Sequence, residues 1–127
     1  MEQNLIFKEE CYSIVGICMK IHKKLGKGFK EVVYKDAMEI ELRSEKIIYE
    51  REKNFNITYE GIILPHKFSA DFFVFNTIIV EVKATSTIHP DSFRQTLNYL
   101  KVSQIKLGIL INFGADSLTF QRIVCTY

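Results

Sequence analysis

One segment constrains this chain more than any other: Ser69-Ala70-Asp71-Phe72-Phe73-Val74-Phe75-Asn76-Thr77-Ile78-Ile79-Val80-Glu81-Val82-Lys83. Its two apolar runs, broken at Asn76-Thr77, read as paired strands from Phe68 to Phe75 and from Ile78 to Lys83. A strand that is apolar throughout is buried on both faces, so charges inside or at the end of it sit at a rim or serve a purpose. Glu81 and Lys83 are two apart and share a face. A three-residue turn at Phe75-Asn76-Thr77 puts Asp71 opposite Glu81 on that face. A two-residue turn shifts the register by one and separates them.

The flanking sequence predicts the rest of the fold. From Lys8 to Leu25, Cys11, Val15, Cys18, His22 and Leu25 recur at helical spacing, and Gly26 and Gly28 end that helix. A second helix is expected from Phe29 to Ser44, with Val33, Ala37, Ile40 and Tyr34, Met38, Leu42 as adjacent apolar rows. Ile47-Ile48-Tyr49 and the alternating Phe55 to Tyr59 read as strand. After Gly61, Pro65 limits Ile62-Ile63-Leu64 to an edge or a short piece. Pro90 opens a third helix to about Val102, and strands Leu107 to Asn112 and Leu118 to Val124 close the chain. The order α-α-β-β-β-β-α-β-β predicts an α/β, α+β layered fold: a mixed β-sheet flanked by helices, without Rossmann alternation. With 127 residues, 47% of them hydrophobic, and no repeat or low-complexity linker, one domain spanning residues 1–127 is expected.

Three cysteines without metal-ligand spacing, Cys11, Cys18 and Cys125, read as buried reduced thiols. No apolar run has the ~18 residues of a membrane span. The N-terminal MEQNLIFKEE lacks a signal peptide's basic start and apolar middle, so a soluble, cytoplasmic protein is expected. The formal net charge of +2 neither demands nor excludes a nucleic-acid partner, so the placement of charge decides.

Two carboxylates opposed across strands repel unless a cation sits between them. A hard divalent ion such as Mg²⁺ or Mn²⁺ takes one or two carboxylates and completes its shell with water and phosphate oxygens. A lysine two residues along is a point charge for that water or phosphate. Asp71, Glu81 and Lys83 are therefore either the parts of a metal-assisted phosphodiester hydrolase or a salt-bridge patch at a strand end.

The run Asp71…Glu81-Val82-Lys83 resembles the core of the PD-(D/E)XK nuclease superfamily. Gly28-Phe29-Lys30-Glu31-Val32-Val33-Tyr34 resembles the signature of its GxxExxY family, preceded by a similar lead-in from His22. Gln95-Thr96-Leu97-Asn98-Tyr99-Leu100 is similar to that family's QxxNYL helix, and Gly108 to Gly114 to its GxLxNFG strand. The resemblance runs nearly the full length, in order, with Ala70 where proline often precedes the aspartate. It implies a restriction-endonuclease-like core with Asp71, Glu81 and Glu31 as metal ligands and Lys83 acting on water or phosphate. It also implies that Gln95 and Tyr99 flank the site as a QxxxY pair. The implied activity is Mg²⁺- or Mn²⁺-dependent hydrolysis of DNA or RNA. The alternative is a catalytically silent nucleic-acid-binding or protein-interaction module on the same shell, and a homo-oligomer is left open.

Position alone offers simpler roles for several of these residues. Glu31 precedes Lys35 by four, as in an ordinary helical ion pair. His22 lies on an apolar stripe, as a satisfied core histidine does, and His66 and His89 adjoin prolines and receive no role. Lys20, Lys23, Lys24, Lys27 and Lys30 form the densest positive run, with Lys23, Lys24, Lys27 and Lys30 the expected phosphate contacts, joined by Tyr99; such a run is otherwise a solvated face.

Overall fold

A computed structural model describes residues 6–126. Residues 1–5, which begin the stretch read for a leader sequence, lie outside it. Helix α1 spans Lys8–Leu25 and α2 spans Glu31–Ser44. Strands β1 (Tyr49–Tyr59), β2 (Ile62–Val74) and β3 (Ile78–Lys83) follow, then α3 (Pro90–Ser103), β4 (Leu107–Asn112) and β5 (Thr119–Val124). The five strands lie in chain order. All neighbours are antiparallel except β3 and β4, which run parallel because α3 carries the chain back across the sheet.

The sheet separates two apolar cores. Cys11, Ile14, Cys18 and Ile21 of α1 and Tyr34, Met38 and Leu42 of α2 meet Phe72, Val74, Val80, Val82, Ile109 and Ile111 on one face. Leu100 of α3 meets Phe68, Ala70, Ile79, Leu110 and Ile123 on the other. β3 and β4 are covered on both sides, which is why both read as unbroken apolar runs. The layered class expected above holds, and only one of the two apolar rows of α2 is fully buried: in the other, Ala37 packs against the core while Ile40 is 66% exposed.

Three strands, not four, precede α3. Ile62-Ile63-Leu64 and the run from Phe68 belong to one strand, because the pairing shifts from Asn56–Lys67 to Thr58–Ile63 and leaves Leu64 to His66 in a bulge. Pro65, which has no N–H to donate, is tolerated where the ladder is interrupted. Among the described residues no helix is long and apolar enough to cross a membrane. All three cysteines are buried free thiols, as expected.

Candidate active site

The hairpin makes the three-residue turn. Val74 pairs with Ile78, while Phe75 and Asn76 both take left-handed backbone and Thr77 N–H donates to the Val74 carbonyl at 3.1 Å. That register continues through Phe73–Ile79 and Phe72–Val80, so the next residues to face each other are Asp71 and Glu81. There the ladder gives way to side chains. Asp71 N–H donates to Glu81 Oε2 at 3.1 Å, and Val82 N–H donates to Asp71 Oδ2 at 2.7 Å. Each carboxylate takes the place of a backbone carbonyl, and both are drawn into the gap between the strands.

A change of face occurs at the same level. Phe72 and Val74 belong to the core under α1 and α2, whereas Phe68 and Ala70, of the same parity, belong to the core under α3. Across from Asp71, between the paired Arg51–Phe72 and Lys53–Ala70, lies Glu52 of β1 with a left-handed φ of 55°. Alternation predicts neither the switch nor the placement of Glu52.

Glu81 is only 7% exposed. Burial first, and the negative charge of Asp71 second, push its carboxyl up to about 8, against the relief given by the Asp71 N–H, Lys83 and Lys35. Lys35 of α2 is a site residue that the sequence offered only as a possible helical partner of Glu31. It does not pair with Glu31: its ammonium donates to Asp71 Oδ1 at 3.0 Å and to the carboxylate of Glu52. Burial opposes its charge, but the bonds from Glu52 and Asp71 outweigh burial, and its pKa is raised. The only signal in the sequence was a lysine one turn after the motif glutamate.

Glu31 opens α2 and lines a cleft with Gly28, Phe29, Lys30, Lys35 and Ala84, the residue after Lys83. It is thus beside the end of β3, but it does not join Asp71 and Glu81. Among the described residues no three His, Cys, Asp or Glu side chains group to cage a metal. The donor set present, two carboxylates whose mutual repulsion calls for a positive charge, fits a hard divalent ion that keeps much of its shell for water and phosphate. An all-protein cage does not fit.

On the opposite face of the sheet, Tyr99 stacks on Phe68 with ring centroids 4.0 Å apart. Burial, then the charges of Glu81 and Asp71, raises its pKa, which puts it within reach of their field. Gln95, one turn earlier on α3, is exposed. Lys23, Lys24, Lys27 and Lys30 are exposed as well; Lys27 is paired with Asp116 at 2.6 Å, and Lys30 borders the cleft.

Much of the remaining motif is architecture around this site. Gly28 has φ 112°, a conformation closed to side chains with a Cβ. Tyr34 O–H donates to the Gly26 carbonyl at 2.6 Å and accepts from Phe29 N–H, while its ring stacks on Phe113 at 4.4 Å. His22 is satisfied as expected: Nε2 meets the Ala115 carbonyl at 3.0 Å, and since a carbonyl only accepts, that nitrogen carries the proton. Asn112, buried after the last apolar residue of β4, accepts from Thr85 N–H and Gly114 N–H and donates to the Thr85 carbonyl. His89, to which no role was given, caps α3 by accepting from Asp91 N–H at 3.0 Å.

The family model of the PD-(D/E)XK nuclease superfamily matches residues 8–123. No curated protein matches the chain. The crystal structure of SSO0001 is similar with a TM-score of 0.60 at 20% identity, over 76% of this chain and 51% of that one. This chain spans about half the length of SSO0001, and a likeness at that identity is one of fold. The family match covers every element from α1 into β5 and includes the hairpin whose two carboxylates cross the strand gap: the chain belongs to the PD-(D/E)XK nuclease superfamily.

Proposed function

We propose that this protein hydrolyses phosphodiester bonds in DNA or RNA with a divalent ion, Mg²⁺ or Mn²⁺, held by Asp71 and Glu81. The observation that carries the reading is the opened hairpin, where both carboxylates lie in one gap, one of them pushed up to about 8 by burial and by the charge of the other. When bound, the ion supplies Lewis acidity toward phosphate and water. Lys83 shares a face with Glu81, and its charge already favours the Glu81 carboxylate. Its task is to stabilise the negative charge that grows on the phosphate. The carbonyl of Lys83 accepts from Phe113 N–H at 2.8 Å, which fixes its backbone.

Glu31 enters from the cleft beside Ala84 as a third acidic group, reached through water or substrate. Gln95 and Tyr99 border the substrate from α3. Lys23, Lys24, Lys27 and Lys30 hold the nucleic-acid backbone, with the protein acting inside the cell. Glu31 with Gly28 and Tyr34 supports placing the chain in the GxxExxY branch.

The test is cleavage of labelled DNA and RNA, single- and double-stranded, with and without Mg²⁺ or Mn²⁺. The wild type is expected to cut in a metal-dependent way. Asp71→Asn and Lys83→Ala, purified identically and with unchanged unfolding midpoints, are expected to lose at least about a hundredfold. Equal cutting by all three preparations would overturn the proposal.

A further inference from the structure

Hydrolysis as just described leaves the Lys35–Glu52 pair without a task. Lys35 is only 13% exposed, and its ammonium sits on Asp71 Oδ1, on the carboxylate that would hold the ion. Glu52 meets the same ammonium from β1, directly across from Asp71, and accepts from Ser69 O–H at 3.4 Å. Its backbone is left-handed, unusual for a residue with a side chain inside a strand. Helix and strand thus hold one positive charge between two carboxylates of different kinds, one crossing to Glu81 and one outside that crossing.

We infer that Lys35 is a built-in counter-ion for Asp71 which a divalent metal displaces, and that Glu52 is the receiver that keeps the ammonium paired once Asp71 is taken. This rests on the reading that Asp71 and Glu81 hold the ion. An ammonium and a hard cation compete for the same carboxylate, so metal binding breaks the Lys35–Asp71 bond. A half-buried ammonium left without a partner is costly, and Glu52 removes that cost by bonding it before and after the exchange. Lys35 and Glu52 are therefore positioning residues that set how readily the site loads. The free site stays electrically satisfied, and metal occupancy becomes an exchange of cations.

The experiment is Mn²⁺ titration of the full chain without nucleic acid, followed by electron paramagnetic resonance of the free ion. Removing the competitor in Lys35→Met is expected to tighten Mn²⁺ binding by about tenfold, in the range found for groups that partner metal ligands. Glu52→Gln is expected to weaken it by a similar factor, because the displaced ammonium loses its receiver. In the double variant, Glu52→Gln is expected to add nothing to Lys35→Met, because Glu52 acts through Lys35. Lys35→Gln serves the same comparison should the methionine variant fold poorly. Binding no tighter without Lys35 overturns the inference. So does a Glu52→Gln effect of the same size with and without Lys35, which is simple loss of charge. Mn²⁺ binding abolished by Asp71→Asn but indifferent to Lys35 leaves the metal site standing and removes only this exchange. Binding indifferent to Asp71→Asn removes both.

Discussion

Asp71 and Glu81 hold their strands apart with each other's help: the Asp71 N–H is bonded by the Glu81 carboxylate, and the Asp71 carboxylate by the next N–H along, that of Val82. A continued ladder would have used both amides on carbonyls and turned the side chains elsewhere. Here the polar exchange places two carboxyl groups where apolar strands meet: Lys35 answers Asp71, and Glu81 is left to burial and to the charge of Asp71.

The burial of Glu81 beside Asp71 has a pH signature. The folded chain holds the Glu81 carboxyl at about 8 against an ordinary value of 4.5. Between these two values the folded state keeps a proton that the unfolded state has released. The contribution is therefore full below about 4.5 and is lost as pH rises through about 8. Each unit of that interval corresponds to about 1.4 kcal/mol. Thermal melts in metal-free buffer are expected to show the wild type losing stability across this range relative to Glu81→Gln. Parallel curves for the two proteins would refute it.

Gly114 admits no side chain. A Cβ there would stand 2.3 Å from both the nitrogen and the oxygen of Thr85, backbone that cannot step aside. Gly114→Ala is expected to cost about 3 kcal/mol or more in urea unfolding, at the upper end for overpacking. Asn112→Ala, which strips partners from three backbone groups, is expected to cost about 3 kcal/mol as well. A loss below about 1 kcal/mol in either would mean that the two loops are not clamped as described.

Tyr34 separates into two parts. Tyr34→Phe removes only the hydroxyl that bonds Gly26 and Phe29, and about 1 kcal/mol is expected. Tyr34→Ala also empties a fully buried ring site stacked on Phe113, and about 4 kcal/mol is expected. Comparable losses in the two would show that the hydroxyl, not the ring, holds the loop.

Much of the candidate site was legible because it is local. Asp71 and Glu81 lie on adjoining strands of one hairpin, so turn length alone decides whether they meet, and the apolar runs leave few turn residues to choose from. Lys35 and Glu52 were not legible, since their meeting requires α2 to cross over β1 and nothing in either pattern encodes that crossing. The simpler role that position offered Glu31, an ion pair with Lys35, is not made, because Lys35 is held by the carboxylates of Asp71 and Glu52. Pro65 marks an edge, as one of its two readings had it: there β2 pairs with β1 irregularly and not with β3, and the strand continues past it instead of ending as a short piece. In Tyr34 a motif residue proved to be loop architecture.

Gln95 and Tyr99 now differ in what they predict. Gln95 is exposed, so Gln95→Ala is expected to leave the melting temperature within about 1 °C while lowering cleavage or nucleic-acid binding. Tyr99→Ala removes the ring stacked on Phe68 and is expected to destabilise, with Tyr99→Phe close to wild type in stability. A destabilised Gln95→Ala would assign that residue to the fold and not to substrate.

The parallel contact between β3 and β4 also sets an order in time. Glu81 and Lys83 lie on a strand whose second neighbour enters the sheet only after the chain has passed through α3, with Ile78 meeting Leu107. The hairpin can close as soon as it leaves the ribosome, whereas the parallel partner must be brought back over a long loop, a slow and late event. Until then β3 is an edge, with no strand beyond Glu81. A nascent chain that ends before β4 therefore carries every residue of the proposed centre but lacks the strand whose Leu110 lies against Glu81 in the folded protein.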